Sequence, residues 1–131
     1  MKVGYAVKQI SPMLAVGDMR ETIQFYTGVL GFSIYVESAE YSIIERDGFP
    51  VHLLKAADSS VMDAVRGHTQ IYLEVSDIHS LWNEVQKLRD TYSIRDLFER
   101  DYGMTEFHIS DPNGCLIFVG ERTANIAGQR D

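Results

Sequence analysis

The stretch Tyr102–Glu121, YGMTEFHISDPNGCLIFVGE, decides the fold. Two short apolar-alternating runs flank Asp111-Pro112-Asn113-Gly114. Pro112 presets the backbone for the second position of a turn, and Gly114 tolerates the left-handed conformation that a tight reversal needs. The flanks, Glu106–Ser110 and Cys115–Val119, have the β-branched and aromatic character of strands. The stretch therefore reads as a β-hairpin.

Upstream of it, Gln70–Val75 and Ser93–Arg100 read as strands. Between them Asp77 stands at a helix N-cap, followed by the stripe Ile78, Leu81, Trp82, Val85 and Leu88. The first half begins in the same way. Val3–Val16 alternates loosely and contains Pro12, which suits an edge strand or a strand start. Asp18 is an N-cap with Glu21 three residues on, the spacing of a capping box. Met19, Ile23, Tyr26, Val29 and Leu30 form one helical stripe, which Gly31 ends. Phe32–Glu37, Tyr41–Arg46 and Val51–Lys55 follow as strands, the last two joined by Asp47-Gly48. Ala56–Gly67 is a polar connection with one helical turn around Val61–Val65, and residues 122–131 form a polar tail.

The halves superpose by counting. The caps differ by 77 − 18 = 59 and the turn glycines by 114 − 48 = 66. The seven extra residues are expected around Asp90–Gly103. A shared order of strand, capped helix and three strands predicts an α+β fold of two tandem βαβββ units, about 9–57 and 68–121, in one domain.

Composition narrows the function. Lys+Arg 12 against Asp+Glu 19 gives a net charge of −7, which repels nucleic acid and anionic membranes and favours cationic or neutral ligands. Cys115 is alone, so it forms no intrachain disulfide and suits a reducing compartment. The N-terminus has no leader-like apolar core and no run has the length of a membrane span, so a soluble, cytoplasmic protein is expected. No phosphate loop, nucleophile elbow or Cys/His nucleophile pattern occurs, and Cys115 reads as a small core residue.

VGDMRETIQFYTGVLGF and DPNGCLIFVGE resemble the vicinal oxygen chelate superfamily, which contains glyoxalase I, extradiol dioxygenases and bleomycin resistance proteins. The resemblance covers about Gln9 to Glu121. It implies curved sheets around a cleft, with helices outside. In metal-dependent members the resemblance maps the ligand positions to Ser11, His52, Gln70 and Phe118. These obey the same repeat, Ser11 and Gln70 differing by 59 and His52 and Phe118 by 66. Only His52 is a good ligand, and Phe118 has no donor atom. His68 precedes its strand and would replace Gln70 only after a two-residue register shift. His79 lies in a helix's first turn, and His108 is on a different strand from the mapped positions. No metal, cofactor or catalytic residue is therefore expected, and His52 is a ligand-bonding or structural imidazole or a general base.

The segment LWNEVQKLRDTYSIRDLFERDYGMTEFHISDPNGCLIFVGE is most similar to the C-terminal half of bleomycin resistance proteins. This implies a metal-free homodimer that sequesters a cationic glycopeptide drug in a cleft at the dimer interface. Strand parity with His52 and Gln70 adds Leu54, Tyr72 and Glu74 to the groove. Tyr41 and Tyr102 align with cleft aromatics of that family, and Glu45 shares the parity of Tyr41. The candidate ligand-binding set is thus Tyr41, Glu45, His52, Leu54, Gln70, Tyr72, Glu74, Tyr102 and Phe118. The bland alternative is ordinary packing for the tyrosines and a solvated face for the glutamates. The rival function is a metal-dependent lyase, isomerase or dioxygenase, which needs a second His or Glu converging on His52.

Overall fold

Capped, amphipathic helices alternate with period-two strands, and the chain folds accordingly. A computed structural model describes residues 3–123. Its strands are β1 (Met13–Val16), β2 (Ser33–Val36), β3 (Tyr41–Arg46), β4 (Phe49–Lys55), β5 (Gln70–Glu74), β6 (Ile94–Glu99), β7 (Met104–Ser110) and β8 (Leu116–Arg122). Its helices are α1 (Met19–Gly28), α2 (Ser59–Val65) and α3 (Ile78–Val85). The fold is α+β, with two four-stranded mixed sheets ordered β1-β4-β3-β2 and β5-β8-β7-β6. In each unit the first strand runs parallel to the last, and the remaining pairs are antiparallel.

The register fixes the repeat. Met13 lies opposite His52 and Tyr72 opposite Phe118, so the first strands differ by 72 − 13 = 59 and the last by 118 − 52 = 66. The strands between refine the expectation about the extra residues. Ile43 pairs with His52 and His108 with Phe118, a difference of 108 − 43 = 65 for β3 and β7. One of the seven extra residues therefore lies in the Asp111–Gly114 turn, not around Asp90–Gly103. Unit one makes its corresponding turn with Asp47 and Gly48 alone, both at positive φ (53° and 83°).

Alternation sorts each strand into two faces. Leu14, Val16, Ile44, Val51, Leu53, Phe107, Ile109, Ile117 and Val119 enter one hydrophobic core with Ile23, Phe25 and Tyr26 of α1 and Ile78 and Val85 of α3. Trp82 of α3 packs on Phe107 with ring centroids 5.2 Å apart, and Phe25 meets Tyr92 at 5.0 Å, so α1 reaches into the second unit. α1 and α3 thus pack on the core face of the strands.

Asp18 caps α1 as expected, its carboxylate accepting from the Glu21 amide at 3.0 Å. Asp77 does not cap α3. It sits in the left-handed region at φ 58° and its side chain takes no amide of the helix. Glu121 on β8 performs that task across the sheet, accepting from the Asp77 and Ile78 amides at 2.9 Å each. A carboxylate there also complements the positive end of the helix. Glu121→Ala is expected to cost about 1–2 kcal/mol in urea unfolding, the usual range for a lost cap. Asp77→Ala should cost less, and the reverse order would reassign the cap.

Other expectations shift at the edges. Val3–Ile10 forms no strand: the segment is exposed, Ile10 to 88%, and joins neither sheet. Its alternation meets no strand edge with which to exchange hydrogen bonds, and a strand needs one. The helical turn near Val61 is a seven-residue helix capped by Asp58. Arg122, read as the start of the tail, ends β8, and residues 124–131 lie outside the described residues. No helix among the described residues is long and apolar enough to cross a membrane.

Candidate functional site

The face of each sheet opposite the core carries the candidate residues. On the first sheet this face holds Met13, Tyr41, Glu45, His52 and Leu54; on the second it holds Gln70, Tyr72, Glu74 and Phe118.

In unit one, Tyr41 and His52 meet. The tyrosyl oxygen is hydrogen-bonded to His52 Nδ1, and the rings lie edge to face with centroids 5.6 Å apart. Glu45 lies on the same face, half-buried, opposite Ser33 and Pro50. Leu54 adds apolar surface opposite Tyr41.

Unit two is more elaborate. Tyr72 stacks on Phe118, ring planes 21° apart and centroids separated by 6.2 Å. Its hydroxyl crosses β8 and donates to Glu106 Oε2 at 2.6 Å. Tyr102 donates to the same oxygen, also at 2.6 Å, and His108 Nε2 lies 3.2 Å from Oε1. Glu106 is wholly buried beneath these partners, while Tyr72 and Tyr102 remain 48% and 43% exposed. Gly120 makes the crossing possible. A Cβ there would stand 2.9 Å from Tyr72 Cζ and closer still to the hydroxyl, so any larger residue expels the ring.

The electrostatics follow from this wiring. Burial pushes the Glu106 pKa up, but the hydrogen bonds from Tyr102, Tyr72 and His108 outweigh it and hold the carboxyl below its ordinary value. Tyr72 is pushed well above the usual phenol range by burial and by its bond to Glu106. Tyr102 is raised by the same carboxylate, through its hydrogen bond first. Glu74 forms an ion pair with Arg122 at 3.8 Å. Arg95 and Arg100 lie over Phe98 at 4.4 and 5.3 Å, and Arg100 also over Tyr102 at 5.0 Å, so two guanidinium groups border the site on its β6 side.

Glu106 and His108 were missed as site residues from the sequence: His108 is on a different strand from the mapped positions, as expected, but that strand, β7, is the neighbour of β8. His108 lies directly opposite Phe118 on the neighbouring strand, with ring centroids 4.0 Å apart. Counting outward from the Ser110–Leu116 pair, two steps along each arm, reaches it. Glu106 lies two further steps along the same face, opposite Gly120. Among the described residues, the Tyr41–His52 group and the Tyr72–Glu106 group share no hydrogen bond, ion pair or ring contact.

The donor set does not suit a metal. The residue opposite His52 is Met13, Ser11 lies outside β1, Gln70 is exposed opposite Leu116, and Phe118 brings only a ring. No three His, Cys, Asp or Glu side chains converge among the described residues. Cys115 is a core residue, as expected: burial, then Asp111, push its thiol up to about 11.

Comparison with known proteins identifies the family and the fold. The family model described as Glyoxalase/Bleomycin resistance protein/Dioxygenase superfamily matches residues 7–119. A bleomycin resistance protein of Geobacillus stearothermophilus is 23% identical over 122 residues, covering 83% of this chain and 92% of the relative. Among solved structures, the bleomycin-binding protein of Streptomyces verticillus, complexed with copper(II)-bleomycin, superposes with a TM-score of 0.71. It is 19% identical, over 93% of this chain and 99% of that one. A lactoylglutathione lyase from Agrobacterium tumefaciens reaches 0.70 at 18% identity, covering 88% and 95%.

Proposed function

Because the chain belongs to the glyoxalase/bleomycin resistance protein/dioxygenase superfamily, we propose that it is a metal-free binding protein that sequesters a bleomycin-like aromatic, cationic ligand. The observation carrying this reading is the open, aromatic and hydrogen-bonding face of the second sheet, where metal-dependent relatives would need imidazoles and carboxylates around one ion. Tyr72, Tyr102 and Phe118 offer broad ring surface to a planar ligand. The net charge of −7 favours approach of a cation over distance. The lyase fold neighbour does not favour an enzyme, because His52 has no second strong donor beside it.

The ligand cleft in this reading is completed by a second copy of the chain. Among the described residues the two candidate groups do not meet, and Val3, Tyr5, Val7 and Ile10 of the Val3–Ile10 segment are exposed and join neither sheet. A homodimer gives both a place. A sequestering protein of this kind would act in the cytoplasm.

Isothermal titration with bleomycin tests the function. One ligand per chain is expected, with Tyr41→Ala weakening binding about tenfold, the size of a modest interface anchor. Light scattering should return twice the 14.9 kDa chain mass, and elemental analysis no stoichiometric transition metal. No heat of binding would remove bleomycin as the ligand. A monomer at micromolar concentration would remove the shared cleft.

A further inference from the structure

We infer that Tyr72 and Tyr102, arrayed over Glu106, form a ligand subsite that accepts hydrogen bonds and donates none, and that it takes an N–H group, amine or amide, in preference to a carboxylate or phosphate. This deepens the reading above and rests on its open second-sheet face.

The inference comes from where the protons must be. An ionised carboxylate accepts hydrogen bonds and has nothing to give. Both tyrosyl hydroxyls lie 2.6 Å from the same oxygen of Glu106, so each phenol's single proton points inward. His108 Nε2, at 3.2 Å from the other oxygen, must likewise be the donor. Toward the cleft the two phenol oxygens are left with lone pairs alone. A ligand carboxylate would set oxygen against oxygen, with the buried charge of Glu106 behind. An N–H group meets two acceptors backed by that charge, and the rings of Tyr72 and Phe118 seat the stem that carries it. A hollow of about 260 Å³ bounded by Gln70, Ile71, Tyr72 and Phe118 adjoins these two rings on the Gln70 side and can take the stem, while the phenol oxygens themselves lie outside it.

Gly120 is the independent sign that the arrangement is built. Only a residue without a side chain lets Tyr72 cross β8 to reach a carboxylate on β7. Three strands thus contribute to the wiring: Tyr72 from β5, the notch from β8, and Glu106 with His108 from β7. Arg95 and Arg100 stack on Phe98 at the β6 side and could draw an anion to that rim. They make no bond to Glu106, so they do not alter which way the phenol protons point.

The test uses the full chain and three probes that share a ring: benzylamine, benzamide and benzoate. Tyrosine ring resonances, labelled and assigned, report binding. Benzylamine and benzamide should shift Tyr72 and Tyr102 and bind about tenfold more weakly to the Tyr72→Phe/Tyr102→Phe protein, the effect of losing hydrogen-bond acceptors. Benzoate at equal concentration should leave the Tyr72 resonances unmoved, whatever it does at Tyr102 beneath Arg100. Glu106→Gln should narrow the preference, because an amide can offer a proton and allow a phenol to turn. Benzoate shifting Tyr72 as readily as benzylamine would overturn the subsite. So would benzylamine binding unchanged after loss of both hydroxyls, or the absence of any shift with probes in the tens of millimolar. Failure of bleomycin to bind while the probes keep their order sinks the sequestering function alone; bleomycin binding without any probe preference sinks the subsite alone.

Discussion

Asp111→Ala is expected to lower the free energy of unfolding by about 3–5 kcal/mol, read from urea titrations at neutral pH. The residue is buried and its carboxylate serves three donors. Oδ2 accepts from the Tyr26 hydroxyl at 2.7 Å, and Oδ1 from the Asn113 and Cys115 amides at 2.8 and 3.0 Å. Alanine would strand all three in a place water does not easily reach, and an unsatisfied buried donor costs more than a hydrogen bond gains. Asn113 adds to the same junction. Its amide donates to Thr22 Oγ1 and accepts from the Gly17 amide, each at 2.9 Å. The turn of unit two is therefore bolted to the first helix of unit one by polar bonds inside a shared core. Tyr26→Phe, which removes one donor and leaves the others satisfied, should cost only about 1–2 kcal/mol. If the alanine variant loses no more than the phenylalanine variant, the junction is not what holds the units together.

That junction marks the boundary between what the sequence discloses and what it withholds. DPNG is legible as a turn, because proline and glycine act on the backbone locally. Nothing local says that its aspartate and asparagine also face a helix some 90 residues earlier, since that depends on how the two units dock. The same division runs through the site. Parity from His52 and Gln70 places Leu54, Tyr72 and Glu74 on the face opposite the core, because side-chain alternation is a property of the strand itself, whereas Tyr41 and Phe118 came from the family resemblance. Glu106 and His108 needed the register across the hairpin as well. A glutamate and a histidine two apart on a strand look like a solvated face until the pairing sets them beneath two tyrosines. Asp77 misled for a related reason. Its spacing before α3 is that of a cap, yet the backbone there is left-handed, and Glu121 delivers the carboxylate from a strand 44 residues later. Val3–Ile10 has a strand's alternation with no strand partner among the described residues, a fact that only the assembled sheets disclose.

Glu106→Ala is expected to destabilise the protein by about 2–3 kcal/mol at neutral pH, less than Asp111→Ala because two of the freed donors can turn to water. His108, which is buried, cannot. The accompanying pH dependence identifies the carboxylate more sharply. Hydrogen bonds from Tyr102, Tyr72 and His108 win against burial and hold the Glu106 pKa below its unfolded value, so folding favours the ionised form. The stabilisation is complete above the unfolded carboxylate pKa of about 4.3 and is lost as pH falls through the lower folded value. Unfolding free energies of the natural chain should therefore decline below about pH 5 more steeply than those of Glu106→Gln, whose side chain has no proton to gain. Other carboxylates also weaken the fold in acid, but they do so in both proteins, and the difference between the two curves isolates this one. Parallel curves would mean that folding does not move the Glu106 pKa. A natural-chain curve that rises relative to that of Glu106→Gln as pH falls from neutrality would mean that Glu106 is protonated under its tyrosines there. The phenols would then be free to donate outward, and the donor-only selectivity inferred for the cleft would lose its basis.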